Sequence, residues 1–273
     1  MKRIAIIGCS HSSYDQVHHG PSKDGRDWIH HISTIAKEFE FHSFAAEGHG
    51  PLYYDYVLKQ LVITYPADFF DAIIVQYTVG GRWFFPLDSE KFRVDWVNQN
   101  SILDFTPEQL SENYTYYRLM APRISMSRNK ATAWNVNRYE KKSLQRIKQS
   151  ESDIDDIYEP DGMVTRYEEN FTKLLIPLYK QFFNNIFCFD FSNTMFNAET
   201  VDSNFKYRNN IGQVLPFKNF ITEKYGIEHV AMHLFDSSFH CSNLGNILLV
   251  EDYLANSNLG DYLNIRGKKI QID

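Results

Sequence analysis

Three short apolar runs, each leading into a glycine-containing turn, constrain this chain more than any other feature. Lys2 to Gly8 is β-branched and ends at a turn. Glu40 to Ala46 leads into Gly48 and Gly50-Pro51. Asp71 to Tyr77 (DAIIVQY) runs without a polar break until Gln76 and leads into Gly80-Gly81. Between them, Asp24 to Phe39 carries Trp28, Ile29, Ile32, Ile35, Ala36 and Phe39 near helical spacing. Tyr53 to Ile63 repeats that pattern before Pro66. Apolar runs alternating with helical patterns predict β-α-β-α-β, a parallel sheet covered by helices, with right-handed crossovers.

The rhythm resumes after a long interruption. Tyr167 to Asn184 predicts a helix that Pro177 should bend or divide. Ile186 to Phe191 (IFCFDF) predicts a strand, Phe217 to Tyr225 a helix and His229 to Phe235 a short strand. Asn243 to Leu254 predicts a last helix with Ser242 as its N-cap. Asn264 to Asp273 reads as an edge strand or a polar tail. The expected fold is a three-layer α/β/α sandwich with a parallel, flavodoxin-like sheet, as one domain over 1–273. Residues 84–165 are too long for an ordinary connection and read as a helical insertion. Thr106-Pro107-Glu108-Gln109 has the form of a helix start, and a second helix is expected over Arg128 to Gln149.

Composition excludes some function classes. The 273 residues carry a net charge of −6, which argues against a protein that coats nucleic acid. No apolar run reaches the ~18–20 residues of a membrane span. The apolar part of the N-terminus is too short for a signal peptide, so the expected location is the cytoplasm. Three cysteines imply no disulfide framework. The charge is segregated. Arg118 to Lys148 holds nine Lys/Arg and one acid, and Ser150 to Asp161 holds six acids and no base. Tyr117, Trp134 and Tyr139 lie in or beside the basic stretch. That combination could bind nucleic acid or an acidic glycan. Pairing of the two opposite stretches is the favoured reading.

In an open parallel sheet, ligands bind beyond the carboxyl ends of the strands. The loops at that edge hold Gly8-Cys9-Ser10-His11-Ser12, then Glu47-Gly48-His49-Gly50, then Thr78-Val79-Gly80-Gly81-Arg82. After the last strand comes Asp236-Ser237-Ser238-Phe239-His240-Cys241-Ser242-Asn243. A hydroxyl, an imidazole, a carboxylate, a cation and flexible turns are the inventory of serine-based acyl transfer. The pairs His18-His19 and His30-His31 lack the i, i+4 spacing of a helical metal site, and there is no CxxC or HExxH. No metal and no cofactor is expected.

Gly8-Cys9-Ser10-His11-Ser12 directly after the first strand resembles the first block of the SGNH (GDSL-type) hydrolases. Asp236 to Asn246 (DSSFHCSNLGN) resembles their last block. The resemblance covers residues 1–83 and about 166–256. It implies that Ser10 is the nucleophile, His240 the base and Asp236 the carboxylate orienting it. It also implies that Gly50, or alternatively Gly48, lends an N–H to the oxyanion hole. Two departures stand out. Asp236 lies four residues before His240, with Ser237 at the place the family gives to Asp. The third block has no Asn; Arg82 could stand in as a charged donor or equally bind an anionic group of the substrate.

Each residue also has a plain reading. Ser10 can cap a turn, Asp236 can cap a turn, Arg82 can form a structural ion pair, His11 and His49 can be turn residues, and Cys9 can be a small buried filler. The function this implies is hydrolysis of an ester, an O-acyl group on a carbohydrate or a lipid-like ester. The partners are then a small-molecule or glycan ester, with no membrane span and no nucleic acid. The alternatives are an inactive binding or assembly module, associated with a virion or a surface polymer, and an O-acyltransferase using the same residues.

Overall fold

A computed structural model describes residues 1–13, 27–46, 49–77, 83–85, 105–119, 124–127, 130–132, 171–191, 217–226 and 241–271. In chain order the first elements are β1 (Lys2–Ile7), a 3₁₀ turn (Ser10–Ser12), α1 (Trp28–Ile35), β2 (Phe39–Ser43), α2 (Pro51–Thr64) and β3 (Ala72–Tyr77). Five strands follow: β4 (Trp83–Phe85), β5 (Phe105–Ser111), β6 (Tyr114–Leu119), β7 (Ile124–Ser127) and β8 (Lys130–Thr132). A π-helical turn (Phe171–Leu175) leads into α3 (Ile176–Tyr179), then β9 (Ile186–Asp190) and α4 (Phe217–Tyr225). The chain then forms α5 (Asn243–Leu248), a second π-helical turn (Leu249–Leu254) and α6 (Asn258–Tyr262).

The six-stranded sheet has the order β5-β6-β2-β1-β3-β9. Every neighbouring pair is parallel except β5 with β6. The fold is therefore mixed α/β around a mostly parallel sheet. Side chains alternate across a strand, so β1 feeds two cores. Ile4 and Ile6 pack with Trp28, Ile29 and Ile32 of α1. Ala5 and Ile7 pack with Tyr53, Tyr54, Val57 and Leu58 of α2. The central strands carry apolar residues on both faces because both faces are covered, the usual condition of a parallel sheet. Burying each large side chain stabilises the fold by roughly 1.5–3 kcal/mol.

Local chemistry explains where the helices begin. Asp27 caps α1, its carboxylate accepting the His30 N–H at 2.6 Å. Gly50 precedes α2, whose first residue, Pro51, has no N–H to leave unpaired. Ser242 caps α5 by accepting the Gly245 N–H at 3.1 Å, as its sequence position predicts. Pro177 lies in the first turn of α3, directly after the π-helical turn. Helix is present from Phe171 to Tyr179 within the span expected over Tyr167 to Asn184, and it changes from π to α at Pro177's turn, where the proline removes one donor from the ladder.

The interruption is corrected. The helix expected to start at Thr106 is strand β5, paired antiparallel with β6 and bulged between Gln109 and Ser111. β6 continues the sheet in parallel beside β2. Pro107 is tolerated because β5 is an edge strand, where one row of N–H groups needs no partner. Lys130–Thr132, placed in the expected second helix, is strand β8 of a separate antiparallel sheet, β4-β7-β8. The described residues between 84 and 165 are thus hairpins and strands rather than helices. The rest of Arg128 to Gln149, the acidic stretch 150–161 and the strand expected over His229 to Phe235 lie outside the described residues. The tail from Asn264 to Gln271 contains no strand, and α6 precedes it. Among the described residues no helix is long and apolar enough to cross a membrane.

Candidate functional site

Ser10 opens a 3₁₀ turn three residues after the end of β1, at the carboxyl edge of a central strand. The turn closes with the Ser12 N–H on the Cys9 carbonyl at 2.9 Å and the Ser13 N–H on the Ser10 carbonyl at 3.3 Å. Ser10 is buried, at 6% exposure. Its hydroxyl reaches Cys9 Sγ at 4.0 Å, a weak contact. Cys9 itself is fully buried, in keeping with its expected role as a filler.

What fixes this turn is Gln76, which the sequence reading passed over. Its Oε1 accepts the Cys9 N–H at 3.2 Å, the Cys9 thiol at 3.4 Å and the Ser12 hydroxyl at 3.0 Å. Its Nε2 donates to the Tyr77 carbonyl. Ser12 Oγ in turn accepts the Trp28 indole N–H at 3.0 Å, which ties the turn to the first residue of α1. Gly8 makes room for this. The register Ile7 to Val75 sets Gly8 beside Gln76, and a Cβ on Gly8 would stand 2.8 Å from Gln76 Oε1 and 2.9 Å from Ser12 Oγ. The only hint in the sequence is a lone amide in an otherwise apolar run (AIIVQY), since a polar group in a buried strand needs partners.

The second loop comes to the same edge. The Ala46 N–H donates to the Gly8 carbonyl at 3.0 Å, and Ser43 Oγ donates to the Ser12 carbonyl at 3.1 Å. Gly50 follows at the start of α2, where its carbonyl accepts the Tyr53 and Tyr54 N–H groups. Neither the Ser10 N–H nor the Gly50 N–H has an acceptor among the described residues. His49 is buried and lies 4.7 Å, centroid to centroid, from the Tyr53 ring. The His11 ring stacks on Phe191 at 3.8 Å. Neither histidine is therefore a simple solvated turn residue.

A buried polar layer continues under the turn. Ser13 Oγ and Tyr116 Oη are 3.2 Å apart. The Tyr114 hydroxyl donates to Asp27 at 2.7 Å. Burial pushes the Asp27 carboxyl up to about 6, against the lowering effect of its hydrogen bonds from Tyr114 and the His30 and Ile29 N–H groups. Asp190 is a further buried carboxylate at this edge, at the end of β9 and in register with Tyr77.

His240 lies outside the described residues, and the chain is described again from Cys241. Cys241, the residue after His240, is buried in the core that contains Trp28. Asn243 Oδ1 is 2.7 Å from His31 Nε2, one helical turn along α1 from Trp28. α1 thus holds the Ser10 turn through Trp28 and the start of α5 through His31. Of the residues singled out from sequence, Ser10 and Gly50 stand on neighbouring loops. Gly48, Arg82, Asp236, Ser237 and His240 lie outside the described residues, as do His18 and His19. Among the described residues no group of three or more His, Cys, Asp or Glu is placed to hold a metal ion. No protein-family model matches the chain, and the curated proteins contain no match to its sequence.

Proposed function

We propose that the protein is an SGNH-like serine hydrolase acting on an ester, an O-acyl group on a carbohydrate or a lipid-like ester. The fold proposed with it is a single flavodoxin-like three-layer α/β/α domain, and the proposed setting is the cytoplasm. The observation that carries the reading is the Ser10 turn. A serine opens a fixed turn at the carboxyl edge of a central parallel strand, with its own N–H and that of Gly50 left without acceptors among the described residues.

In this reading Ser10 Oγ attacks the ester carbonyl carbon while His240 takes the hydroxyl proton. Asp236 holds His240 in the useful tautomer, with Ser237 beside it. The carbonyl oxygen becomes an oxyanion that receives the N–H groups of Ser10 and Gly50, or of Gly48, with Arg82 adding charge. The C–O ester bond then breaks, and the leaving alkoxide takes the proton from His240. Water attacks the acyl-Ser10, passing a proton to His240, and releases the acid and the serine. If a sugar hydroxyl replaces water, the same residues carry out acyl transfer.

The burial of Ser10 favours a second reading, in which the fold is a binding or assembly module, of a virion or a surface-polymer system, without hydrolysis. One experiment divides them. A fluorophosphonate probe is expected to label the wild type and not Ser10→Ala. Hydrolysis of p-nitrophenyl acetate is expected to fall roughly a thousandfold or more in that variant. A folded wild type that neither labels nor hydrolyses the ester is the module.

A further inference from the structure

We infer that Gln76 is the positioning residue of the nucleophile turn, acting through Cys9 and Ser12 on the two sides of Ser10. The inference rests on the proposed role of Ser10. Gln76 sits in β3, between β1 and β9, with no exposed surface. An amide buried there without partners would cost roughly 2 kcal/mol or more. Its oxygen is instead the acceptor on which the turn converges. The Cys9 N–H and Ser12 hydroxyl bonds are ordinary in length, and the thiol adds a weaker third.

The arrangement has a chemical consequence. Gln76 occupies the N–H of Cys9 and the hydroxyl of Ser12, and it leaves the N–H of Ser10 unengaged. The Ser10 N–H, one of the two backbone donors that the oxyanion would use, is therefore one that the network among the described residues does not consume. The amide orientation is set as well. Nε2 faces the Tyr77 carbonyl, so Oε1 must face the turn. From Trp28 through Ser12 to Gln76, three side chains hold Ser10 from β3 and α1 together. Small displacements of a nucleophile are costly, since about 1 Å can lower a rate on the order of 100-fold.

The test compares two variants with the wild type. Gln76→Met keeps the length of the side chain and removes the acceptor. For folded protein, its kcat on p-nitrophenyl acetate and its fluorophosphonate labelling rate should each fall about 100-fold, with KM nearly unchanged. Gln76→Glu replaces the amide N–H₂ with an oxygen facing the Tyr77 carbonyl, so it reproduces the network only when protonated. A buried carboxyl holds its proton to higher pH. The ratio of Gln76→Glu to wild-type labelling should therefore rise as the pH falls from about 8 to about 5. A purely structural role would move thermal stability and leave that ratio flat. Gln76→Met labelling within about twofold of the wild type, or a flat Gln76→Glu ratio, overturns the inference while Ser10 keeps its role. If Gln76→Met does not fold, the Gln76→Glu ratio alone decides. A folded wild type that does not label overturns both the role of Ser10 and this inference.

Discussion

The two faces of the sheet bury polar groups in different ways. On the α1 face, at the Ser10 turn, the partners are neutral: an amide, hydroxyls, an indole and a thiol. On the α2 face the cluster is built around charge. Glu40 lies between Arg3, at 3.4 Å, and His42 Nε2, at 3.3 Å. His42 Nδ1 is 2.8 Å from Tyr117 Oη, and Tyr117 stacks on Phe44 at 4.5 Å. Arg3 stands over Phe69 at 4.5 Å. Here His42 Nδ1 meets the Tyr117 hydroxyl, Nε2 faces Glu40, and the rings of Phe70 and Tyr117 close around the imidazole. At the turn the Ser10 hydroxyl has one weak contact, and neither the Ser10 N–H nor the Gly50 N–H on the neighbouring loop has an acceptor among the described residues. The charged cluster reads as a clasp between β1, β2 and β6, and the neutral one as a mount.

Removing the buried acid Asp27 beside the mount gives the largest expected effect. Asp27 titrates at about 6 in the fold against an ordinary 3.8. Between those values the folded state holds more protons than the unfolded one, so stability falls as pH rises through that window. Across that window the loss amounts to about 3 kcal/mol. Asp27→Asn should remove this contribution to the slope, because asparagine does not titrate, and should keep the helix cap, because asparagine also caps helices well. Thermal melting of both proteins from about pH 4 to about pH 7 measures it. An unchanged slope in the variant would show that the buried carboxyl is not its source.

The next effect concerns the close packing that the mount requires. Gly8→Ala places a methyl 2.8 Å from Gln76 Oε1 and 2.9 Å from Ser12 Oγ. Overpacking of that kind costs roughly 1–3 kcal/mol. The methyl also pushes on both partners of the turn, so labelling at Ser10 should fall together with the midpoint of urea unfolding. Loss of stability with full labelling would mean that the turn moves without carrying Ser10 with it.

The core of the fold was legible where both sides of a strand are buried. The runs in β1, β3 and β9 are continuous and apolar, and no other element type fits them at that length. Gly50-Pro51, which reads as a break in the chain, is where α2 begins, whereas the capping residue Ser242 was legible because its chemistry is local. Thr106-Pro107-Glu108-Gln109 misled for the same reason. Its residues fit a helix start, but β6 supplies a parallel strand beside β2, and β5 pairs on its outer side. Pairing with a distant strand overrode a local pattern. At the site, the place of Ser10 in the turn after β1 could be read from the Gly8 that ends the strand run. Gln76 could not, because its role depends on the register that sets it beside Gly8. Trp28 was visible as an apolar helix position, while its N–H bond to Ser12 is a tertiary fact.

The smallest expected effect lies in the clasp, and Asp27 masks it. Burial lowers the pKa of His42 below its ordinary 6.5, outweighing the opposing pull of Glu40, while Arg3 adds to the lowering. Below pH 6.5 the unfolded state therefore binds the proton that the folded imidazole refuses. Stability that is present above 6.5 is lost as the pH falls below it. That slope is opposite in sign to the Asp27 slope, and the two overlap below pH 6. In wild type the curves partly cancel. In an Asp27→Asn background, melting temperature should fall as pH drops from about 7 to about 5. Adding His42→Gln, which keeps a donor and an acceptor beside Tyr117 and Glu40, should flatten that fall. If the double variant still loses stability with acid in that range, the clasp does not titrate through His42. The distinction between a charged clasp and a neutral mount would then rest on Arg3 and Glu40 alone.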